Sequence, residues 1–334
     1  MIDFLTDKSV LVTGGTGSFG RNFIKHLLKH SAARKIVVFS RDEFKQYQMQ
    51  HELNDKRLRF FIGDVRDRDR LNRAFKNIDI VVHAAALKQV PALEYNPFEA
   101  VKTNILGTQN VCDAAIDQSV KKVLLISTDK AVHPINLYGS TKLCAEKLVI
   151  NSNFYSPDGT RFSVVRYGNV IGSRGSIVET LIRQKQVNKV YITDVEMTRF
   201  WISLQESFDL VTFALGNMEG GEIFVPKIPS MKLVDLFDVL APSAEKEIIG
   251  IRPGEKLHEI LLHERESERA IELENYFVVL PEYPISCNDN YEKYYSMGKK
   301  TNNAFRYTSD TNTQWIDNNK FKAITEELKR SFKN

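Results

Sequence analysis

The sequence predicts an α/β fold in which a doubly wound parallel sheet carries a smaller mixed α/β region. Short apolar, β-branched runs alternate with longer helical patterns in the first half of the chain, which is typical of parallel sheets with helices on both faces. A glycine-rich segment directly follows the first of these runs. With 334 residues, the chain can form one large domain and a smaller region. We expect the large domain in 1–171, with returning segments near 195–230, and a substrate-binding region in 172–194 and 231–334.

The candidate strands are short and continuously apolar, as strands buried on both faces should be. Those of the large domain are 9–13, 35–40, 59–63, 78–84, 122–127 and 162–166. The helical patterns between them cover roughly 18–30, 42–54, 67–76, 97–118 and 138–152. Beyond residue 172 we predict short strands near 190–192, 222–225 and 277–279, and helices near 176–187, 205–217 and 231–240. The Asn-, Ser- and Thr-rich segment from about 285 to 318 is expected to be irregular.

Composition argues against several functional classes. The net charge of +4 is small and no basic cluster is interleaved with aromatic residues, so nucleic acid is not expected as a partner. No apolar run approaches the roughly 20 residues of a membrane span, and the N-terminus lacks a signal-peptide pattern, so we expect a cytoplasmic protein with no membrane partner. Cys112, Cys144 and Cys287 lack metal-ligand spacing, and neither a metal nor a disulfide framework is predicted.

The glycine-rich segment Gly14–Gly20 predicts a dinucleotide site of the Rossmann type. It follows a strand and opens a helix, the context that makes such a pattern informative. Gly14 would form the tight turn, Gly17 would let the backbone approach a pyrophosphate, and Gly20 would let the helix pack close to the strand. The phosphates would then face free N–H groups at the helix N-terminus.

The end of the second strand favours NADP over NAD. Ser40 and Arg41 stand where an NAD enzyme would typically carry an acidic residue for the ribose hydroxyl, and an arginine fork suits a 2′-phosphate. Asp42 and Glu43 follow at a predicted helix start, where the helix dipole favours acidic residues in any case. Asp64 and Val65, after the third strand, are expected near the adenine. Ala84 begins a run of small residues suited to close passage of the backbone beside the cofactor.

Tyr138 and Lys142 are four residues apart on a predicted helix and therefore share one face. An ammonium group beside a phenol favours the phenolate, which lowers the pKa of the tyrosine. The phenolate can then take a proton from a sugar hydroxyl while hydride leaves the same carbon for nicotinamide.

Asp129 and Lys130, at the end of the fifth strand, predict a second acid–base step. Oxidation of a sugar at C4 makes the C5 proton acidic, so that a base can remove it while an acid protonates the departing C6 hydroxyl. We assign Lys130 as the base and a protonated Asp129 as the acid. A lysine base near neutral pH needs its pKa lowered by about three units, roughly 4 kcal/mol, and we expect burial and the charge of Lys142 to supply this. The alternative is an exposed ion pair on a strand-end loop.

Several polar residues further along are candidates for contacts with a nucleotide sugar. Asn169 follows a strand, and Arg174, Gly175 and Ser176 form a loop suited to phosphate or sugar. Arg199 and the pair Arg252 and Glu255 are candidates for a pyrophosphate and ribose, because an arginine fork matches phosphate geometry. Each arginine taken alone is more often a solvated charge than a ligand contact. His83, in an apolar strand, is interpreted as a core histidine.

These motifs resemble those of the extended short-chain dehydrogenases/reductases, and within them the inverting UDP-N-acetylglucosamine 4,6-dehydratases. The likeness spans nearly the whole chain and includes the segments 16–19, 40–45, 63–67, 84–88, 127–131, 136–142, 166–176, 198–203, 226–231 and 252–258. Common nucleotide-sugar 4,6-dehydratases carry Asp-Glu where this chain has Asp129-Lys130, and membrane-anchored relatives often carry Met at the position of Tyr138. The presence of both Lys130 and Tyr138 therefore points to the soluble, inverting type.

The resemblance implies roles for individual residues. It implies a catalytic group of Thr128, Asp129, Lys130, Tyr138 and Lys142. It implies NADP contacts by Gly14, Thr16, Gly17, Ser18, Phe19, Gly20, Ser40, Arg41, Asp42, Glu43, Phe44, Lys45, Asp64, Val65, Ala84, Lys88, Thr103, Tyr138, Lys142 and Val170. It implies contacts with UDP-N-acetylglucosamine by Lys88, Asn169, Arg174, Gly175, Ser176, Ile177, Val178, Glu179, Tyr191, Thr193, Arg199, Arg252, Pro253, Gly254 and Glu255.

The resemblance also implies a reaction and an assembly. The product would be UDP-2-acetamido-2,6-dideoxy-β-L-arabino-hex-4-ulose, formed with inversion at C5 in the first step of pseudaminic acid biosynthesis, as in flagellin glycosylation. Relatives pair through long apolar helices, so a homo-oligomer, either a dimer or a hexamer built from dimers, is expected. The alternatives are a nucleotide-sugar 4-epimerase, which needs Tyr138 and Lys142 but not Asp129 and Lys130, a retaining 4,6-dehydratase, and a catalytically inert NADP-sensing protein.

Overall fold

The computed structural model describes residues 2–156, 159–184, 186–283, 285, 291–302 and 304–331. Cys287 and part of the segment predicted to be irregular lie outside these residues. The strands are β1 Ser9–Thr13, β2 Lys35–Ser40, β3 Leu58–Ile62, β4 Ile80–His83, β5 Lys122–Thr128, β6 Arg161–Tyr167, β7 Asn169–Val170, β8 Lys189–Ile192, β9 Thr198–Ile202, β10 Ile223–Pro226, β11 Ser230–Lys232, β12 Glu245–Ile248, β13 Ile260–Leu262, β14 Ala270–Glu272, β15 Tyr276–Val279, β16 Lys299–Lys300 and β17 Tyr307–Thr308.

The α-helices alternate with the strands of the first half and are more scattered afterwards. They are α1 Ser18–His30, α2 Glu43–Leu53, α3 Arg68–Phe75, α4 Val90–Tyr95, α5 Pro97–Ala100, α6 Gly107–Asp117, α7 Leu137–Asn151, α8 Ile177–Arg183, α9 Leu204–Asn217, α10 Leu233–Leu240, α11 Glu264–Ser267, α12 Glu292–Met297 and α13 Asn318–Ser331. The segment Val101–Leu106 forms π-helical turns between α5 and α6. A 3₁₀ turn, Asp129–Ala131, follows β5 directly.

A ten-stranded sheet organises the described part of the chain. Its order is β16-β14-β15-β10-β6-β5-β4-β1-β2-β3, and the strands from β10 to β3 run parallel. The chain builds outward from β1 through β2 and β3, then returns to add β4, β5 and β6 on the other side. The carboxyl ends of β1 and β4 therefore border a crevice where the winding direction changes, the usual ligand position in such sheets. The predicted doubly wound sheet is confirmed.

The central strands are buried on both faces, which explains their continuous apolar sequences. Every residue of β1 and of β4 is buried, and side chains from both faces contribute to one large core. Helix α1 packs on this core with Phe23, Ile24 and Leu27, all fully buried. Burial of this kind stabilises the fold by roughly 25 cal/mol for each Å² of apolar surface removed from water.

Residues that follow β6 in the chain form a second, smaller hydrophobic core. It contains Val178 of α8, Trp201 of β9, Phe237 of α10 and Phe321 of α13. Three short strands, β11-β9-β7, and the pair β12-β8 belong to this side of the molecule. The division into 1–171 with 195–230 and a substrate region of 172–194 with 231–334 remains a proposal, and β14, β15 and β16 of the latter segment extend the main sheet.

Several predicted elements differ from those observed. The single helix expected at 97–118 is interrupted by the π-helical turns at Val101–Leu106. The segment predicted to be irregular contains α12, β16 and β17, and its Tyr294 and Tyr307 are buried. Strands β9, β11, β12, β13 and β14 and helix α4 were not predicted, because short strands and helices of one or two turns carry little periodic signal. The 14-residue helix α13 was also not predicted.

Candidate active site

The turn after β1 leaves no space for side chains at its glycines. Gly14 has φ of +65°, and a Cβ there would lie 2.9 Å from the Ala85 nitrogen. A Cβ on Gly20 would lie 2.5 Å from the Gly14 carbonyl oxygen. Gly17 is the N-cap of α1 and offers no side-chain cap, so the first N–H groups of that helix remain available to a ligand. This geometry fits the pyrophosphate of a dinucleotide.

The end of β2 forms one wall of a cavity of about 260 Å³. Ser40, Arg41, Asp42, Lys45, Asp64, Val65, Ala84 and Thr103 line it together with Gly14, Thr16 and Gly17. Gln46 donates to Ser40 Oγ (2.9 Å), which leaves the serine hydroxyl proton free for a ligand. Arg41 Nη1 lies 3.8 Å from Asp64 Oδ2 and is 55% exposed. The buried Thr103 hydroxyl has no hydrogen-bond partner among the described residues. These groups fit an adenosine ribose.

A larger cavity of about 640 Å³ continues from the first and shares Gly14, Thr16, Gly17, Lys45, Ala84 and Ala86 with it. Among the sequence-predicted residues, the cavity brings together Ser18, Phe19, Gly20, Lys88, Thr128, Lys130, Tyr138, Lys142, Asn169, Val170, Arg174, Gly175, Ser176 and Ile177. Gln89, Tyr167 and Trp201 also line it and were not predicted. The two cavities together have the lining expected for a dinucleotide with a second ligand beside it.

Asp129 and Lys130 form an ion pair at the start of the 3₁₀ turn after β5. Lys130 Nζ lies 3.0 Å from Asp129 Oδ1, which also accepts a hydrogen bond from Thr128 Oγ1 (2.9 Å). Asp129 is fully buried, whereas the Lys130 side chain is 26% exposed and reaches the larger cavity. Oδ2 of Asp129 has no hydrogen-bond partner among the described residues. The alternative of an exposed surface ion pair is wrong.

A second buried carboxylate, Glu259, was missed by sequence reasoning. Its Oε1 lies 3.5 Å from Lys130 Nζ and 3.8 Å from Arg199 Nε, and its Oε2 lies 3.7 Å from Lys256 Nζ. Glu259 directly precedes β13, which contacts the 3₁₀ turn after β5 and also pairs with β17. The available signal was an acidic residue immediately before the apolar run Ile260–Leu262.

The expectation that burial and Lys142 lower the pKa of Lys130 is wrong in this structure. Burial does lower it, but the negative charges of Asp129 and Glu259 outweigh burial and raise the pKa of Lys130 above its ordinary value. Burial and the charge of Glu259 raise the pKa of Asp129. Although burial disfavours its charge, Lys130, Arg199 and Lys256 lower the pKa of Glu259. The lysine is therefore an ammonium group held between two carboxylates.

The expectation for Tyr138 is also wrong in this structure. Burial raises the pKa of Tyr138 to about 12, and the cation that opposes burial is Lys130. Lys142 Nζ instead donates to the carbonyl oxygen of Ile126 (2.8 Å), and burial lowers the pKa of Lys142 to about 8. Tyr138 is thus a neutral phenol here, with Thr128 and Lys130 as its polar neighbours.

Helix α7 brings Tyr138 against the 3₁₀ turn because its first turn carries a glycine. Asn136 caps the helix by accepting from the Gly139 nitrogen (2.8 Å). A Cβ on Gly139 would lie 2.2 Å from the Lys130 carbonyl oxygen, so only glycine permits this approach. Gly139 lies within the segment 136–142, but sequence spacing does not predict its contact with the Lys130 carbonyl oxygen.

The remaining predicted ligand contacts are not among the residues that line either cavity. Glu43 and Phe44 open α2, Tyr191 and Thr193 lie on and after β8, and Val178 is buried in the smaller core. Glu179 accepts from the Gly175 nitrogen (2.6 Å) and so shapes the loop at Arg174–Ser176. Arg199 is buried and donates to the carbonyl oxygens of Thr198 (2.7 Å) and Leu257 (3.1 Å).

The segment formed by Arg252, Pro253, Gly254 and Glu255 lies beside the N-terminus of α7. Asn136 Nδ2 donates to the Gly254 carbonyl oxygen (2.8 Å), and a Cβ on Gly254 would approach Asn136 to 3.1 Å and Val90 to 3.8 Å. Arg252 is half exposed, and its Nη1 lies 3.9 Å from Glu255 Oε1. The roles of these residues as ligand contacts remain predictions.

His83 is a core residue, as predicted. It is 1% exposed, and its ring nitrogens contact Thr13 Oγ1 (2.7 Å) and Thr108 Oγ1 (3.1 Å). Burial lowers the pKa of His83 to about 3, so it is neutral. Within the described ranges, no group of three or more acidic, His or Cys side chains is arranged to hold a metal. No described helix is both long and apolar enough to span a bilayer.

The parallel sheet, the glycine turn and the Tyr–Lys helix define an extended short-chain dehydrogenase/reductase fold. The same fold is seen in the dTDP-glucose 4,6-dehydratase DesIV of Streptomyces venezuelae, solved with NAD and TYD bound, at a TM-score of 0.67 and 22% identity over 75% of this chain and 86% of that one. Residues 10–281 match the family described as polysaccharide biosynthesis protein. The chain belongs to this family.

Individual relatives cover nearly the whole chain. The inverting UDP-N-acetylglucosamine 4,6-dehydratase of Campylobacter jejuni is 49% identical over 92% of this chain and 94% of its own. A UDP-glucose 4-epimerase of Rickettsia conorii is 43% identical over 88% of both chains. The crystal structure of Pen from Bacillus thuringiensis is 39% identical, with a TM-score of 0.88 over 97% of this chain and 99% of that one. The resemblance stated from the motifs is therefore confirmed.

Proposed function

We propose that this protein is an NADP-dependent UDP-N-acetylglucosamine 4,6-dehydratase that inverts C5. The observation that carries the proposal is the buried Asp129–Lys130 pair at the cavity that also contains Tyr138 and Lys142. Oxidation at C4 alone needs only the tyrosine and its helix partner, whereas loss of water needs a further acid and base. The 49% identity to the Campylobacter enzyme of that name supports the same reading.

Tyr138 and Lys142 serve the oxidation of C4. A dinucleotide held by the glycine turn after β1 would supply an oxidised nicotinamide ring to accept hydride from C4 and return it to C6, and the positive charge of that ring would favour the Tyr138 phenolate. Tyr138 takes the C4 hydroxyl proton. Lys142 is fixed by its hydrogen bond to the Ile126 carbonyl oxygen. It contributes positive charge to the cavity in which this proton and hydride transfer takes place.

Asp129 and Lys130 serve the elimination, and the raised pKa of Lys130 is compatible with it. The proton that Lys130 must lose before acting as a base is the proton that Asp129 must gain before acting as an acid. Moving it along the 3.0 Å hydrogen bond from Lys130 Nζ to Asp129 Oδ1 turns the ion pair into a neutral amine and a neutral carboxylic acid. Lys130 then removes the C5 proton and becomes an ammonium group again, Asp129 protonates the C6 hydroxyl as it leaves, and C5 takes a solvent proton on its opposite face.

The reaction is tested by incubating the purified protein with UDP-N-acetylglucosamine and NADP⁺ in D₂O. We expect a 4-keto-6-deoxy product with one water lost, deuterium at C5 and the L-arabino configuration by NMR. A product with deuterium at C5 but the original configuration would identify a retaining enzyme instead.

Lys130→Met tests the assigned base. This change keeps the aliphatic stem and removes the amine, so we expect dehydration to fall by about 10²-fold or more while UDP-N-acetylglucosamine and NADP⁺ still bind. Lys147→Met, on the exposed side of α7, is the control and should retain full activity. Wild-type turnover by the Lys130 variant would place the base elsewhere.

A UDP-sugar 4-epimerase is the second candidate, because the Rickettsia relatives at 43% identity carry that name. An epimerase has no use for Asp129 and Lys130, which here form a buried pair within the site. Recovery of a C4 epimer of unchanged mass, with no dehydrated product, would favour this candidate.

We also propose a homo-oligomer and participation in pseudaminic acid biosynthesis, as in flagellin glycosylation. Large apolar side chains are exposed on consecutive helices at Tyr95 (87%), Phe98 (62%) and Leu106 (50%), and surfaces of this kind commonly pair with a second copy. The molecular mass in solution tests the assembly. The configuration of the product at C5 tests whether it suits that pathway.

A further inference from the structure

Glu259 lies behind the proposed acid–base pair and does not line the cavity. The 2% exposed Glu259 carboxylate contacts three cations from three parts of the chain. These are Lys130 from the turn after β5, Arg199 from β9 and Lys256 from its own loop. Burying a charge is costly unless it is compensated. The fold therefore depends on these three cations to keep the Glu259 carboxylate buried.

The three cations do not satisfy the carboxylate by close hydrogen bonds. Their distances to Glu259 are between 3.5 and 3.8 Å, and Oε2 of Glu259 has no hydrogen-bond partner among the described residues. Lys256 Nζ donates to the Val132 carbonyl oxygen, and Arg199 donates to two backbone carbonyl oxygens. The interaction between Glu259 and its neighbours is therefore mainly one of charge.

Resting on the proposed function, we propose that Glu259 is a positioning residue whose buried charge sets the pH range in which the Asp129–Lys130 pair holds the single proton that dehydration requires. A nearby anion favours protonation of both members of the pair, because it attracts the ammonium group and repels the carboxylate. Lys256 acts in the opposite sense as a buried cation. Lys88 and Tyr138 are the other titratable groups facing the pair, and neither contacts Glu259.

The sign of the effect does not depend on which member carries the shared proton. The pair is active with one proton and inactive with two or none, so the rate follows a bell-shaped curve between two apparent pKa values that belong to the pair. Removing the anion lowers both values and moves the curve toward acid. Removing the cation of Lys256 raises both values and moves the curve toward alkali.

The test is the pH dependence of kcat for dehydration by wild type, Glu259→Gln, Glu259→Asp and Lys256→Met. We expect Glu259→Gln to shift the curve toward lower pH by about 1–3 units, the size expected for a charge within 4–6 Å. Glu259→Asp keeps the charge and should stay near the wild-type curve. Lys256→Met should shift it the other way, by less, because Arg199 and Lys130 still compensate Glu259.

Two outcomes distinguish this inference from the proposed function. A wild-type protein that yields no dehydrated product refutes the proposed function. A wild-type protein that dehydrates, with Glu259→Gln and Lys256→Met both following its pH curve at reduced or unchanged height, refutes the inference alone. Failure of Glu259→Gln to fold would be visible by circular dichroism. In that case the pH curve of Lys256→Met tests the inference: a shift toward alkali supports it, and an unshifted curve refutes it, because a purely structural role would not move the curve.

Discussion

At the scale of single residues, cofactor choice depends on a few side chains at the end of β2. Arg41 lines the smaller cavity with its Nη1 3.8 Å from Asp64 Oδ2, and the hydrogen bond from Gln46 leaves the hydroxyl proton of Ser40 free. Both groups suit a 2′-phosphate, whereas an acidic residue at either position would accept a hydrogen bond from an unmodified ribose.

Arg41→Asp is expected to reverse the preference from NADP toward NAD. The variant loses a charge-assisted contact and introduces repulsion, so the ratio of NADP to NAD affinity should fall by about 10- to 100-fold. Equilibrium titration with each dinucleotide measures the ratio directly. Lys56→Asp is the control, because Lys56 is exposed on the loop before β3, at the opposite end of the strands from the cavity. An unchanged ratio for Arg41→Asp would show that another group recognises the 2′-phosphate.

At the scale of elements, the approach of α7 to the turn after β5 depends on the missing side chain of Gly139. A methyl group there would meet the Lys130 carbonyl oxygen at 2.2 Å, so the helix would have to move away from the acid–base pair. Tyr138, the preceding residue, would move with it.

Gly139→Ala is therefore expected to lower the free energy of unfolding by about 1–3 kcal/mol, the usual cost of overpacking, and to reduce dehydration more than dinucleotide binding. Chemical denaturation and cofactor titration measure the two effects. Gly216→Ala in α9 is the matched control, because a Cβ there is 3.4 Å from Phe4 and makes an ordinary contact. Equal stability of the Gly139 and Gly216 variants would contradict the proposed packing.

The sequence predicted the elements that carry strong local signals. Strands β1 and β2 and helix α1 were predicted with their observed boundaries, since continuous apolar runs and a glycine turn specify them locally. The sequence could not predict that Glu259 lies beside Lys130, which is 129 positions earlier in the chain. The contact of β13 with the turn after β5 is long-range and leaves no local signal. The pKa directions of Lys130 and Tyr138 were wrong for the same reason, since they depend on charges that only folding brings together.

At the scale of the whole molecule, a buried ionic triad joins the main sheet to two helices, α7 and α11. Arg166 of β6 donates to Glu146 of α7 (2.6 Å) and to Glu266 of α11 (2.9 Å), and it is 1% exposed. Ser127, at the end of β5, also donates to Glu146. Ser127 directly precedes Thr128 and Asp129 in the chain. Its hydrogen bond to Glu146 therefore ties the triad to the strand end from which they project.

Arg166→Met is expected to destabilise the protein by about 3–5 kcal/mol, because it leaves two buried carboxylates without a cation. Denaturation by urea measures the loss. Arg306→Met is the control. It removes the exposed ion-pair partner of Glu264, a residue of α11, and should lower the free energy of unfolding by no more than about 1 kcal/mol. Comparable losses of stability in the two variants would show that the buried triad contributes no more to stability than an exposed ion pair.

The triad also gives a pH dependence of stability. Although burial opposes its charge, Arg166 lowers the pKa of Glu266 below its ordinary value of 4.5. The stabilisation is therefore complete above that value and is lost as the pH falls through the lower pKa of the folded state. Wild type should lose stability below about pH 4.5, and Arg166→Met should lose less over the same interval.

The order of strands in the main sheet has a consequence for synthesis on the ribosome. The far edge of β6 pairs with β10, and β10 pairs with β15, which lies more than 100 residues after β6 in the chain. Until those later residues emerge, a nascent chain exposes the edge of an otherwise assembled nucleotide-binding half. Unpaired sheet edges promote aggregation, so prematurely terminated products should be insoluble and in need of chaperones.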